Sequence, residues 1–281
     1  MAVGSNLYIV ATPIGNLSDI TLRAIEILKS VDFIAAEDTR HSQRLLSHYE
    51  IHTPIFSLHE HNEEERIEKI MALLSSRKSV ALISDAGTPL ISDPGFRLAR
   101  AVRLANYNIV PIPGACALIS ALIVSGMPAD RFIFEGFLPA KSGTLETQLQ
   151  KLKNEERTMI FYESVHRVVK TIPIMKNVFG AERMVTIARE LTKTFETIKQ
   201  DTLENLSEWI ATSELKGEFV IVVHGASSHE NTFSEDEEKL KLLLENLLSE
   251  LSVKQAVSIA CKITGLNRKM VYAMALRSRA T

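Results

Sequence analysis

Short apolar, β-rich runs alternate with helical-period segments along most of the chain, and no other feature restricts the fold so tightly. Leu7–Ala11, Phe33–Ala36, Ile55–Leu58, Val80–Ser84 and Ile109–Ile112 are near-continuous apolar runs of four or five residues. Strands covered on both faces read this way. After the first of them, Ile20, Ala24, Ile27, Leu28 and Val31 recur at helical spacing behind Ser18 or Asp19 as N-cap. Further helices are expected near Ser42–Tyr49, Glu64–Ser75 and Pro94–Leu104, the last with Asp93 as cap and Pro94 in its first turn. The pattern predicts an α/β fold, a parallel sheet wrapped by helices.

The second half repeats the alternation. Strands are expected at Phe132–Gly136, Met159–Tyr162, Met184–Ala188 and Glu218–Val223, with helices near Leu145–Lys153, Val168–Val178 and Leu203–Thr212. At roughly 150 residues per domain, a chain of this length suits about two. The boundary is set near Pro113, giving α/β domains over 1–112 and 113–226. Ser227–Glu238 is polar and acidic, like a linker. Over 236–281 the pattern is helical, a small third domain.

Charge sharpens that last division. The whole chain carries a net −2, which advertises no polyanion. From Leu251 to Thr281, however, Lys254, Lys262, Arg268, Lys269, Arg277 and Arg279 stand without any acid. Such asymmetry points to an anionic partner. A helical run to Lys262, the interruption Thr264-Gly265-Leu266-Asn267 and a second run over Arg268–Arg277 outline a helix-turn-helix. Cations in the first turn of that second helix oppose its dipole, so phosphate contact explains them better than stability does. The competing reading is a small bundle that buries Val257, Ala260 and Cys261.

Several classes are excluded. With 46% apolar and 23% charged residues the chain is no disordered, collagenous or coiled-coil protein. Cys116 and Cys261 fit neither a disulfide framework nor a zinc spacing. His59 and His61 read as neighbours on one strand face meeting solvent, so no metal site is expected. The stretch between Arg103 and Asp130 is uncharged, but Pro111, Pro113, Gly114 and Gly126 break it below the ~20 residues of a membrane span. No secretory signal opens the chain, and a cytoplasmic location is expected.

Chemistry is expected in the loops that leave the strand ends. Ala11–Thr21 contains a single glycine and is neither a Rossmann nor a Walker loop. EDTRH (Glu37–His41) crowds two carboxylates, a guanidinium and an imidazole, although a helix start collects Asp, Glu and Thr in any case. SDAGTPLISDPG (Ser84–Gly95) supplies two glycines and two prolines, a rigid backbone suited to close contact with a ligand. PIPGACALISAL (Pro111–Leu122) joins a strand to an apolar helix. Glu163, His166 and Arg167 in FYESVHR, and Arg189, Glu190 and Lys193 in ARELTKTFE, add convergent charge. The residues alone describe a two-domain α/β enzyme with a small polar cofactor in a charged cleft.

Taken in order, LYIVATPIGNLSDITLRA, AAEDTR, ALISDAGTPLISDPG, PIPGACALISAL, FYESVHR, ARELTKTFE and KGEFVIVV resemble the ribosomal RNA small subunit methyltransferase I family. That family is a branch of the class III, tetrapyrrole-methylase-like methyltransferases, and the resemblance runs from about Leu7 to Val223. It implies two α/β/α domains of the tetrapyrrole methylase type plus a small C-terminal helical domain. It also implies S-adenosyl-L-methionine (SAM) in the cleft, a homodimer, and 2′-O-methylation of a cytidine ribose in the decoding region of 16S rRNA. The implied cofactor contacts are Thr12, Pro13, Ile14, Asp85, Gly87, Thr88, Pro89, Leu90, Ile91, Cys116, Ala117, Tyr162 and Ala188. The implied catalytic set is Glu37, Asp38, Arg40, Glu163, His166, Arg167 and Glu190. The base stays open among Glu37, Asp38, His41, Asp85, Glu163 and Glu190, with Arg40, Arg167 and Lys193 holding phosphate or polarising the hydroxyl. Cys116 stands where the family more often has serine, and Ser164-Val165 precede His166 where a small residue and proline are common.

Two other functions remain to be weighed. A C-methyltransferase of tetrapyrrole precursors would share the fold, but the Gly87-Thr88-Pro89 variant and the basic tail argue against it. A non-catalytic ribosome- or RNA-binding module would need the tail alone and leaves the charged loops unexplained. A SAM titration separates this last reading from the enzymes.

Overall fold

The computed structural model describes residues 5–59, 61–213, 216–226, 240–264, 271–272 and 274–275. The five apolar runs of the first half become β1 (Asn6–Val10), β2 (Phe33–Ala36), β3 (Ile55–Ser57), β4 (Val80–Ile83) and β5 (Asn108–Ile112). They form one wholly parallel sheet in the order β3-β2-β4-β1-β5. Side-chain alternation divides its core in two. Tyr8, Val10, Ile34, Ala36 and Ile83 pack with Leu28 of α1 (Leu22–Ser30) and Leu46 of α2 (Thr39–His48). Leu7, Ala35, Val80 and Leu82 pack with Ile70 of α3 (Glu63–Ser75) and Leu98 of α4 (Phe96–Leu104). Both faces are covered, which is why the runs are apolar throughout.

The second sheet differs. It contains β6 (Phe132–Phe137), β7 (Thr158–Ser164), β8 (Met184–Arg189), β9 (Thr197–Thr202) and β10 (Glu218–Val223) in the order β6-β7-β10-β8-β9. Only the β6–β7 pair is parallel; the other three pairs are antiparallel. One face (Met159, Phe161, Ile187, Phe219, Ile221) packs on α6 (Ser142–Lys151), α7 (Val165–Phe179) and α8 (Leu203–Thr212). The other (Ile160, Ala188, Val220, Val222) packs on Leu118, Ala121 and Leu122 of α5 (Ala117–Val124), with Ile14 and Leu191.

Four local expectations need correction. Strand β9 has no counterpart in the apolar pattern, because its sequence TIKQDT is polar and it forms an edge of the sheet. Helix α1 is capped by Thr21, whose Oγ1 accepts from Ala24 N at 3.1 Å, whereas Leu17–Asp19 forms a separate 3-10 turn capped by Asn16. Helix α4 starts behind Gly95 (φ 120°) without a side-chain cap, so Asp93 does not cap it. Strand β3 ends at Ser57, which places His59 in a turn where its backbone N–H donates to Asn62 Oδ1 at 2.9 Å.

The two sheets and their helices make one compact unit over 5–152 and 157–224; 153–156 with 225–275 make another. In the second unit, α9 (240–250) and α10 (Val253–Thr264) bury Leu240, Leu244, Val257 and Ala260 with Val271 and Ala275, and Cys261 is half-buried against them. The turn residues Gly265-Leu266-Asn267, the bases Arg268, Lys269, Arg277 and Arg279, and residues 227–239 of the acidic linker lie outside the described residues. Among the described residues no helix is long and apolar enough to cross a membrane. The uncharged stretch resolves into β5, a turn and the eight-residue α5.

The capping assignment gives a direct test. Thr21→Ala should cost about 1 kcal/mol in urea unfolding, a typical loss for an N-cap. Ser18→Ala should stay within about 0.5 kcal/mol, as an ordinary surface substitution does.

Candidate active site

A parallel sheet releases all its strand ends at one edge, so the loops after β1, β2, β4 and β5 converge. The ends of β7 and β8 and the start of β10 lie together on an edge of the second sheet, where Glu218 pairs with Ser164 and Phe219 with Arg189. Between these edges lies a cavity of about 470 Å³, within the roughly 300–1,000 Å³ of small-molecule sites.

Its wall is held by a clasp between the first and third loops. Thr12 N donates to Gly87 O at 2.8 Å, and Gly87 N donates back to Thr12 O at 3.0 Å. The buried Thr12 hydroxyl also donates to Ser84 O at 3.2 Å. Gly87 sits at φ 82°, a left-handed conformation that glycine adopts without strain. The Thr88 hydroxyl donates to Ala115 O at 3.0 Å, tying the third loop to the segment before α5. On the second sheet, Tyr162 Oη accepts from Leu118 N at 3.1 Å, and burial raises the phenol so that it stays protonated.

Of the thirteen residues assigned to a cofactor, Ile14, Asp85, Gly87, Thr88, Ile91, Cys116, Ala117, Tyr162 and Ala188 line the cavity. Thr12, Pro13, Pro89 and Leu90 stand behind that wall; Thr12 and Pro89 are buried and the other two half-buried. Of the seven assigned to catalysis, Glu37 and Glu163 reach the cavity. Asp38, Arg40, His166, Arg167 and Glu190 are outside its lining. Their side chains are spent or turned elsewhere. Asp38 caps α2, accepting from Arg40 N at 2.8 Å and His41 N at 3.4 Å, and these bonds hold its carboxyl below the usual range. Arg40 and His41 are exposed, and so is His166 in the first turn of α7.

Glu163 is buried and committed. It accepts from Arg167 Nε at 2.7 Å, Thr171 Oγ1 at 2.7 Å and Ser164 N at 2.8 Å. Arg167 in turn donates to Leu138 O at 3.0 Å. Glu190 and Lys193 form a second closed group. Lys193 Nζ donates to Glu190 Oε1 and Glu218 Oε2, both at 2.9 Å, and Glu218 N donates to Glu190 Oε1 at 3.1 Å. Burial opposes both charges, but the pairing outweighs it, so the Glu190 carboxyl lies below its usual value and the Lys193 ammonium above. Gly217 makes room for this group: at φ 90°, an added Cβ would collide with the Glu190 carboxylate. Asp85 is fixed by Asp38 N, which donates to its Oδ1 at 3.0 Å.

Ser92, Asp93, Phe137 and Gly217 line the cavity but are not among the site residues that the sequence picks out, although Ser92 and Asp93 fall in the Ser84–Gly95 loop read as a ligand contact. Asp93 reads from its neighbours as a helix cap. Phe137 stands edge-on to Tyr162 with ring centroids 5.5 Å apart, and nothing in its spacing marks it. Gly217, a lone glycine ahead of an apolar strand, is a second signal that points toward the site.

Residues 6–207 match the family model described as tetrapyrrole (corrin/porphyrin) methylases, and residues 234–279 match the RsmI C-terminal HTH domain. A protein of Pseudomonas aeruginosa called ribosomal RNA small subunit methyltransferase I is 48% identical over 279 residues, 99% of this chain and 98% of that one. Its namesake in Haemophilus influenzae is 50% identical over 272 residues, 96% of each chain. The chain belongs to the ribosomal RNA small subunit methyltransferase I family. Cobalt precorrin-4 methyltransferase shares the fold of the α/β part, with a TM-score of 0.59 at 16% identity over 78% of this chain and 95% of that one. So does a uroporphyrin-III C-methyltransferase of Thermus thermophilus complexed with S-adenyl homocysteine (TM-score 0.54, 15% identity, 78% and 97%). In this member of the family, the fold class drawn from the residues and the resemblance holds.

The closed network around Glu163 predicts a structural phenotype. Glu163→Gln should lower unfolding free energy by about 1.5–3 kcal/mol, the worth of a hydrogen bond to a charged group, because the half-buried Arg167 loses its anion. Urea denaturation at pH 7 reads the loss.

Proposed function

We propose that this chain transfers the methyl group of SAM to the 2′-hydroxyl of a cytidine ribose in the decoding region of 16S rRNA. It acts as a homodimer in the cytoplasm, on small-subunit rRNA or the small ribosomal subunit. The observation that carries the reading is the cavity itself, in a chain of this family: Glu37 and Asp85 line one cavity with the apolar Ile14, Ile91 and Leu191. Carboxylates favour a sulfonium cation, and apolar walls favour an adenine ring. SAM therefore fits the residues present. The backbone of Gly87–Ile91 and Cys116–Ala117 would hold it, with Ile14, Asp85, Tyr162 and Ala188 around it and Thr12, Pro13, Pro89 and Leu90 supporting.

When bound, SAM supplies an electrophilic methyl carbon on a positive sulfur. The protein's task is alignment, since in-line displacement depends on holding acceptor oxygen and methyl carbon in register. The Thr12–Gly87 clasp and the Glu190–Lys193–Glu218 group make the opposite walls rigid enough for that. A ribose hydroxyl is a weak nucleophile, and a carboxylate that takes its proton as the bond forms assists it.

The domain division 1–112, 113–226 and 236–281 is part of the proposal, with SAM in the cleft between the first two and RNA contact in the third. The match of 234–279 to a helix-turn-helix family supports the third assignment. A tetrapyrrole substrate finds less support, since the relatives identical at about half of their positions are named for ribosomal RNA.

Mapping ribose methylation on 16S rRNA from cells with and without the protein tests the reaction. A cytidine in the decoding region should lose its mark in the deletion strain and regain it on complementation. Two variants test the assignments. Thr88→Arg places a cation against the sulfonium and fills the cavity, so calorimetry should find SAM affinity lowered at least ~100-fold, while the melting temperature drops by only a few degrees. Truncation after Ser234 should leave SAM affinity unchanged and weaken RNA binding. For every phosphate that the tail neutralises, its removal should make the log–log salt slope shallower by roughly 0.7–0.9.

A further inference from the structure

We propose that the Asp93 carboxylate accepts the proton of the ribose hydroxyl that this protein methylates, an assignment that rests on the function proposed above. Position and availability both single it out. Asp93 lines the cavity beside Asp85 and Tyr162. Its sequence context, Asp-Pro-Gly ahead of a helix, suits a cap, but α4 begins two residues beyond Pro94 behind Gly95 and takes no side-chain cap. The carboxylate is thus released from the helix. The backbone that releases it is unusual: Leu90 (φ 74°), Ser92 (φ 68°) and Gly95 (φ 120°) all have positive φ. Two non-glycine residues held left-handed within three positions represent strain that a packed surrounding must maintain, and such strain gathers at functional sites.

The other carboxylates of the cavity and its rim are already engaged, Glu37 among them. Asp85 accepts the backbone N–H of Asp38. Glu163 takes three donors, one of them a guanidinium. Glu190 and Glu218 are bound to Lys193. The nearby Ser84 hydroxyl donates to Ala86 O at 3.3 Å and lies 3.5 Å from Gly87 O, so the Asp93 carboxylate has no committed donor of that kind. Glu37, Asp85, Cys116, Tyr162, Glu163, Lys193 and Glu218 are the titratable groups that share the space. Desolvation pushes the Asp93 carboxyl up to about 6; the Ser84 hydroxyl pulls it back by less, and the neighbouring Asp85 charge adds a smaller push upward. A base is most effective when its proton affinity lies near working pH yet leaves it ionised there. In the step, the ribose oxygen bonds the methyl carbon as the C–S bond breaks with its electron pair remaining on sulfur. The hydroxyl proton passes to Asp93, and the sulfonium charge and the carboxylate charge disappear together.

Asp93→Asn keeps the shape and removes the base. Single-turnover methylation of small-subunit RNA should slow by roughly 10²–10⁴-fold, with SAM affinity by calorimetry within threefold of wild type. Wild-type log rate should climb with unit slope to about pH 6 and then level. A readout without cofactor accompanies these. The folded chain holds the Asp93 proton more tightly than the unfolded chain, so ionisation costs stability as pH rises from about 4 to about 6. Asp93→Asn should therefore melt higher than wild type at pH 8, and the gap should close at pH 4. A variant rate within threefold of wild type, a wild-type profile flat from pH 5 to 8, or a pH-independent melting gap overturns the assignment. A large loss of SAM affinity at unchanged turnover also overturns it, making Asp93 a cofactor contact. Wild-type protein that binds SAM but methylates no small-subunit RNA overturns the proposed function, and this inference with it.

Discussion

Two reciprocal backbone hydrogen bonds between Thr12 and Gly87 fix the geometry on which the candidate site depends. Loops normally gain order only by packing on something rigid. Here the loops after β1 and β4 order each other, as a minimal antiparallel bridge set across the end of a parallel sheet. The buried Thr12 hydroxyl adds a bond to Ser84, so the bridge is braced from the strand end beneath it. Thr88 then carries the restraint on to Ala115 and the start of α5. Because α5 packs on the second sheet through Leu118, Ala121 and Leu122, one small clasp sets where both walls of the cavity stand.

The same functional group does several jobs around that cavity, and burial and partners decide which. Asp38 is a helix cap, Glu163 an anchor for a guanidinium, Glu190 half of a pair with Lys193. Asp93 has shed the capping job and faces the cavity. A carboxylate with charge-assisted partners is cheap to ionise and gains little from a proton; one with few partners in a desolvated place is the reverse. Residue type therefore says less about role than the number of donors nearby.

Legibility follows burial. The strands of the first sheet stand out because both their faces are covered, and the run Phe33–Ala36 has the same ends as the strand it forms. In the second sheet, β10 is equally plain as FVIVV. Strand β9 is not, since an edge strand with half-buried alternation of Thr, Lys and Asp carries no apolar signal. Strand direction is also hidden: nothing in an apolar run distinguishes the parallel β6–β7 pair from the antiparallel β7–β10 pair. At the site, loops read as cofactor loops line the cavity at Ile14, Asp85, Gly87–Thr88, Cys116–Ala117 and Ala188. The charged clusters are less informative, because the same residues cap helices and pair with one another. Asp93 is concealed by its neighbours, Pro94 and Gly95, which make it resemble an ordinary cap.

The order of the second sheet carries a consequence for how the chain is made. Its central strand is the last to be synthesised: β10 inserts between β7 and β8. Until residues 217–223 emerge from the ribosome, β7 and β8 each lack the strand that pairs with them and expose open backbone edges, the kind of surface that recruits other chains. The same segment brings Gly217, Glu218, Phe219 and Val220 to the cavity wall. Folding and the assembly of the binding site thus finish in one event, and a nascent chain stalled short of it has neither a closed sheet nor a place for its ligand.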